Sequence, residues 1–128
     1  MTAVYQIGGM KTTSITGYRW ASASSLIAAA PGTKLLGENG LEFIVAGGTT
    51  FHIYQVILGN NTTVGTLMYL IYDDDGAGTN PVVVGTWALG TGVVVNLPAA
   101  IDIPNGKHLI GKCASANLCS IFVAGVQS

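Results

Sequence analysis

The chain has 128 residues, of which five are basic and six acidic, for a net charge of −1. Charged residues make up 9%, against roughly 25% in an ordinary soluble domain. Lys11, Arg19, Lys34, Lys107 and Lys112 form no cluster, which disfavours direct nucleic-acid binding, since that rests on several phosphate contacts from grouped cations. Membrane insertion is also disfavoured, because no apolar run approaches the roughly 18 to 20 residues of a spanning helix.

One domain of this size buries only about two-thirds of the surface its unfolded chain exposes. Eleven charges cannot cover the remainder, so much of the exterior must be neutral or apolar. Such a surface is ordinarily covered by other protein, and the chain reads as an assembly subunit. Residues 1–10 show no basic flank followed by an apolar block, so no secretory signal is expected.

In chain order, residues 12–16 are polar and β-branched, and residues 21–30 are rich in small side chains before Pro31-Gly32 breaks the run. Residues 21–30 fit a short helix weakly and an extended arm equally well. Residues 1–32 are therefore read as an N-terminal arm or first strands, and 33–128 as a β-sandwich domain.

Strand signals then dominate. Residues 34–36 and 41–45 surround Glu38-Asn39-Gly40, a hairpin signal in which both central residues must tolerate positive φ. Residues 51–58 are rich in β-branched and aromatic side chains and end at Gly59-Asn60-Asn61. Residues 64–72 follow and close on Asp73-Asp74-Asp75-Gly76. Then come 81–89, 93–97, 107–112 after Pro104-Asn105-Gly106, and 118–126. Eight or nine short strands, with turn residues every eight to twelve positions, predict an all-β antiparallel sandwich or barrel. The 18 glycines and four prolines fall mainly between the strands.

Alternation is incomplete. Both parities of residues 67–72 are large and apolar, and residues 51–58 place Phe51, Ile53 and Ile57 on one face and Tyr54, Val56 and Leu58 on the other. Half-wet antiparallel strands should alternate, so both faces are expected to be covered, one by the core and one by another subunit.

Candidate sites are few. Asp73, Asp74 and Asp75 could hold Ca²⁺ together with backbone carbonyls, although a solvated turn accounts for them as well. The EF-hand pattern fails, because Ala77 and Thr79 stand where ligands are needed. Cys113 and Cys119 flank a turn. Two buried thiols are expected there, a cross-strand disulfide being the alternative. Neither pairs with His52 or His108 at a metal-ligand spacing. His108 with Asp102 could be gathered with a serine only by the fold, and no nucleophile-elbow motif is present. Asp102 and Glu42 can be nominated as a carboxylate pair only arbitrarily. Gly8-Gly9, Gly47-Gly48 and Gly76-Ala77-Gly78 match no phosphate-binding fingerprint. No cofactor is expected, and the chain is not expected to be an enzyme. Most aromatic residues lie in strands and are expected in the core. The interface candidates are Tyr18, Arg19 and Trp20, outside the strongest strands, with Tyr54, Met68 and Tyr72. Trp20, Tyr54 and Trp87 would be the stacking residues of a sugar-binding face.

The passage Thr91-Gly92-Val93-Val94-Val95-Asn96-Leu97-Pro98, followed by Ile101-Asp102-Ile103-Pro104-Asn105-Gly106-Lys107-His108-Leu109, resembles the C-terminal part of small β-sandwich virion proteins of tailed bacteriophages. These are the head-decoration (cement) and fibre-type proteins. The likeness extends loosely over residues 41–126. It implies a jelly-roll-like sandwich of about eight strands, commonly a homotrimer, seated on the major capsid protein at the virion surface after assembly in the host cytoplasm. It implies no catalytic residues. Two functional readings follow: a capsid decoration protein that bridges capsomers, and a carbohydrate-binding receptor-recognition module of a phage tail or fibre.

Overall fold

A computed structural model describes residues 17–114 and 119–128. Those residues form nine strands and no helix. The strands are β1 (Gly17–Ala23), β2 (Thr33–Lys34), β3 (Leu36–Gly37), β4 (Phe51–Asn60), β5 (Thr66–Asp73), β6 (Val82–Leu89), β7 (Val93–Ile103), β8 (His108–Cys113) and β9 (Cys119–Gln127). Two antiparallel sheets result, in the orders β3-β1-β9-β4-β7 and β2-β8-β5-β6. The chain is thus an all-β sandwich. Its pairs are nested: β1 with β9, β2 with β8, β4 with β7 and β5 with β6.

The core lies between the sheets. Phe51, Ile53, Val56 and Leu58 of β4 meet Met68 and Leu70 of β5, Leu109 of β8, and Ile121 and Val123 of β9. Residues 61–65 form the turn between β4 and β5, knotted by Asn60 at the end of β4. This residue is buried, donates to the carbonyls of Val64, Leu89 and Gly90, and accepts from the backbone N–H and hydroxyl of Thr62. A buried amide with this many partners fixes the strand ends without an unsatisfied group.

The mixed parity of residues 51–58 has a local cause. The register of β4 against β9 slips between Ile53 and Gln55, so Phe51 and Ile53 face the core before the slip and Val56 and Leu58 after it. A bulge of this kind turns successive apolar residues to one face while the sequence changes parity. The expected facing is corrected accordingly: Val56 and Leu58 share the core face with Phe51 and Ile53, while Tyr54 is exposed and Ile57 is half-buried. In β5, Met68 and Leu70 enter the core and Leu67 is exposed. Ile71, outside the core cluster, borders a recess with Pro31, Val83 and Ile110.

The helix considered for residues 21–30 is not formed. Residues 17–23 pair along their whole length with β9, from Gly17 opposite Gln127 to Ala23 opposite Ile121, and the chain then turns irregularly. The period there is two: Arg19 and Ala21 are buried while Tyr18, Trp20 and Ser22 are exposed. Residues 17–23 are thus an inner strand of the larger sheet, and residues 24–32 carry no strand. Residues 12–16 lie outside the described residues. The Asn39-Gly40 hairpin forms, but only Gly40 takes positive φ (78°). Gly37 N–H donates to Leu41 O and Gly40 N–H to Gly37 O, across a three-residue loop 38–40. This is the longer hairpin geometry, in which a single left-handed residue suffices.

The two sides of the sandwich differ. On one side β2 runs through Leu35 directly into β3, so a single segment crosses from the smaller sheet to the larger. Leu26, Leu35, Phe43 and Val45 seal this side and are fully buried. Their backbones bond across it, Leu26 N–H to Cys119 O, Leu35 N–H to Leu109 O, Phe43 N–H to Leu35 O and Val45 N–H to Lys107 O. On the other side β6 and β7 are the outer strands of opposite sheets and are not paired with each other. At their ends Leu89 and Ile103 are buried, but the core-facing residues between, Val84, Trp87, Val95, Leu97, Ala99 and Ile101, are only partly buried. The sandwich is buttoned along one side and open along the other.

Candidate interaction surface

Strand alternation in β1 sends Tyr18 and Trp20 to the outer face of the five-stranded sheet, and the bulge in β4 brings Tyr54 out beside them. Tyr18, Trp20 and Tyr54 are 66%, 43% and 45% exposed. The Tyr18 and Tyr54 rings meet edge to face, with centroids 6.3 Å apart and planes at 87°, the arrangement favoured by the ring quadrupole. Register places Ala124 beside Trp20 and Val126 beside Tyr18, with Leu36 beside Ser22. Two polar pairs border the rings, His52 Nδ1 with Asp102 Oδ1 at 2.8 Å and Gln55 Nε2 donating to Asn96 Oδ1 at 3.0 Å. The face is thus a patch of rings and small apolar groups, with Asp102 as its carboxylate and His52 beside it. An exposed, weakly charged patch of this kind characterises interaction surfaces more than free ones.

Three of the six expected interface residues lie elsewhere. Arg19 alternates with Tyr18 and Trp20, so it points inward and is 4% exposed. Its guanidinium donates to Glu38 at 2.8 Å, to Ile44 O at 3.1 Å and to Gln127 Oε1 at 2.9 Å, and lies 4.0 Å from the Phe43 ring centroid. It ties the loop of residues 38–46 to β1 and β9 and offers nothing to a partner. Met68 is fully buried in the core. Tyr72 is half-buried and packs against the core. The proposed stacking trio is split as well, since Trp87 belongs to the inner side of β6 and stands apart from Trp20 and Tyr54. A Cβ on Gly85 would come within 2.1 Å of the Trp87 ring, so the indole lies flat against the backbone of its own strand.

The three aspartates organise their loop. Asp73 is buried and accepts from the N–H groups of Gly76 and Gly78 at 2.6 and 2.7 Å. Asp75 accepts from Ala77 N–H and from the Thr79 hydroxyl at 2.8 and 2.6 Å. Asp74 accepts from Asn80 and pairs with Lys107. The Lys107 and Asn80 hydrogen bonds hold Asp74 below the ordinary carboxylate value of 3.8, and the Thr79 and Ala77 hydrogen bonds do the same for Asp75. Among the described residues no group of three His, Cys, Asp or Glu side chains is gathered as a metal site. The Ca²⁺ candidate is corrected to a self-bonded turn.

The other titratable groups also differ from expectation. Asp102 pairs with His52 and not with His108, which pairs with Glu42 at 2.6 Å. Glu42 in turn faces Lys34 at 3.7 Å. Beside Arg19, an open recess of about 460 Å³ is lined by Leu41, Ile44, Gly47 and Gly106, with the guanidinium already committed. Cys113 and Cys119 are buried thiols, and Cys113 Sγ donates to Leu26 O at 3.4 Å. Burial, together with the neighbouring Cys113 thiol, pushes Cys119 up to about 11. Among the described residues no helix is long and apolar enough to cross a membrane.

Sequence reasoning missed the Tyr18–Tyr54 ring contact, which depends on a bulge, and the open β6/β7 side. The second had a signal: Val95, Leu97, Ala99 and Ile101 alternate with Asn96, Pro98, Ala100 and Asp102 within a strand of eleven residues. The strand runs on to Ile103, six residues beyond the 93–97 read from the sequence. Comparison with protein-family models, with curated proteins and with solved structures finds no match for this chain.

Proposed function

We propose that the chain is a structural subunit of a virion, a capsid decoration protein that bridges neighbouring capsomers. The observation that carries this reading is the outer face of the five-stranded sheet, where Tyr18, Trp20 and Tyr54 stand exposed on a surface almost without charge. A shell subunit needs a face of this kind, because many copies packed side by side must avoid like-charge repulsion. The nested strand pairs support a jelly-roll reading of the sandwich, the architecture shared by many capsid proteins. About 1,000 Å² of apolar contact corresponds to a gross gain of about 25 kcal/mol before entropic losses. Even a small net gain per copy accumulates over a shell. Co-sedimentation with empty expanded heads of the phage that encodes the chain is the test. Binding that raises the temperature at which the heads disrupt is expected. A chain that stays in the supernatant at high concentration contradicts the reading.

A second reading uses the same face. Tyr18 and Tyr54 beside the His52–Asp102 and Gln55–Asn96 pairs combine rings that stack on apolar sugar faces with groups that bond hydroxyls. In that case the chain is the receptor-recognition module of a tail or fibre. A glycan array read at millimolar sugar separates the two: hits abolished by Tyr54→Ala support it, and a blank array counts against it.

A further inference from the structure

We infer that the open side between β6 and β7 is where copies of this chain bind one another, each copy completing the other's core. The inference rests on the assembly reading above but concerns a different surface. The outer sheet face is left for a second partner.

Four observations carry it. First, Val84, Trp87, Val95, Leu97, Ala99 and Ile101 point toward the core yet remain partly exposed, whereas their counterparts Leu26, Leu35, Phe43 and Val45 on the opposite side are fully buried. Apolar residues turned inward but left uncovered are what a core divided between subunits looks like. Second, β6 and β7 are long edges of eight and eleven residues, and no described strand pairs with their free sides. Natural edge strands are ordinarily blunted by lysine or proline. β6 has neither, and β7 has only Pro98, with Asp102 as the one charge in the two strands. Third, an almost uncharged surface is compatible with itself, so an identical surface is an acceptable partner.

Fourth, the size of the opening suits a second copy. At about 3.3 Å per residue β7 is about 36 Å long, and two sheets about 10 Å apart with their flanking side chains make a face about 20 Å wide. The product, about 700 Å², approaches the roughly 800 Å² per partner of a standard stable interface.

The two tryptophans sit on the two surfaces, Trp20 on the outer sheet face and Trp87 at the open side, so each surface has its own reporter. The experiment uses the full chain as a Trp20→Phe variant, with Trp87 emission and sedimentation velocity followed from low micromolar to near-millimolar concentration. Expected is an oligomer in which Trp87 emission shifts to the blue and its acrylamide quenching falls several-fold, both reversing on dilution. Val95→Lys, at an inward position of β7 that stays partly exposed in the single copy, is expected to weaken association at least tenfold. Ala99→Glu, which places a carboxylate in the opening, is expected to do the same. Tyr18→Ser is expected to leave association unchanged. An oligomer that ignores Val95→Lys and Ala99→Glu but is lost with Tyr18→Ser overturns this inference and leaves the assembly reading standing. A monomer whose Trp87 is shielded at every concentration means that residues 1–16 of the same chain cover the opening, which also overturns it. A monomer with Trp87 exposed throughout defeats both.

Discussion

The two sides of the sandwich bury the same kinds of residue to different depths. On the closed side a continuous segment crosses from sheet to sheet, its backbone bonds to both, and Leu35 and Phe43 lose all contact with water. On the open side Leu97 and Trp87 occupy equivalent inward positions and keep part of their surface wet. Composition does not separate them, since both sides are apolar. The difference lies in connectivity: one side has a strand that belongs to both sheets, and the other has two edges that never meet. For a chain so poor in charge, the half-finished side explains where the apolar surplus goes.

The sharpest way to break this comparison is a matched pair of leucines. Leu35→Ala on the closed side leaves a cavity with no solvent access and is expected to cost about 3–5 kcal/mol, whereas Leu97→Ala in the dilute single chain is expected to cost only about 1–2 kcal/mol. Urea unfolding measures both. Equal costs would mean that the open side is already sealed. Close behind comes the buried ion pair that anchors the closed side. Glu38→Gln removes the carboxylate that holds Arg19 and leaves a buried cation, at an expected cost of about 3 kcal/mol or more. A loss below 1 kcal/mol, as for an exposed pair, would show that the loop is held by other contacts.

A smaller effect concerns the thiols between β8 and β9. Burial keeps Cys119 protonated well above neutral pH, and only the thiolate reacts readily. At pH 8 the folded chain is expected to react with a thiol reagent at least tenfold more slowly than the urea-unfolded chain. Fast labelling of both cysteines in the folded chain would contradict this. The smallest effect belongs to the aspartate turn. Asp74 and Asp75 are held below their ordinary value of 3.8, so the folded turn binds protons less readily than the unfolded chain does. Their contribution is therefore present above pH 3.8 and is lost as pH falls through the lowered folded values. Amide exchange at Ala77 and Thr79, which donate to Asp75, is expected to speed up only in that acid window, with the strands still protected. An unchanged turn there would mean that its backbone geometry does not depend on the carboxylates.

Most strands were legible because apolar runs and turn residues alternate clearly; β4, β5, β6, β8 and β9 lie within about two residues of the sequence reading. Facing was less legible. A one-residue slip in β4 turns Tyr54 outward and makes a one-sided strand read as two-sided. Arg19 carried the wrong expectation because its neighbours are exposed rings, and alternation puts a charge between them into the interior. Its acceptors, Glu38, Ile44 O and Gln127, lie 19, 25 and 108 residues away, a gathering that only the fold produces. The apolar exterior was legible as a shortage of charge. Alternation along β7 marks its inward residues, but which strands are left as open edges depends on strand order, which no local pattern encodes.

The central claim is that this surface exists to be covered by other copies. Sedimentation velocity of the unmodified chain across a hundredfold range of concentration tests it most directly. A symmetric oligomer, with a trimer the first expectation, that dissociates on dilution is the predicted result. A species of one-chain mass at every concentration would contradict it.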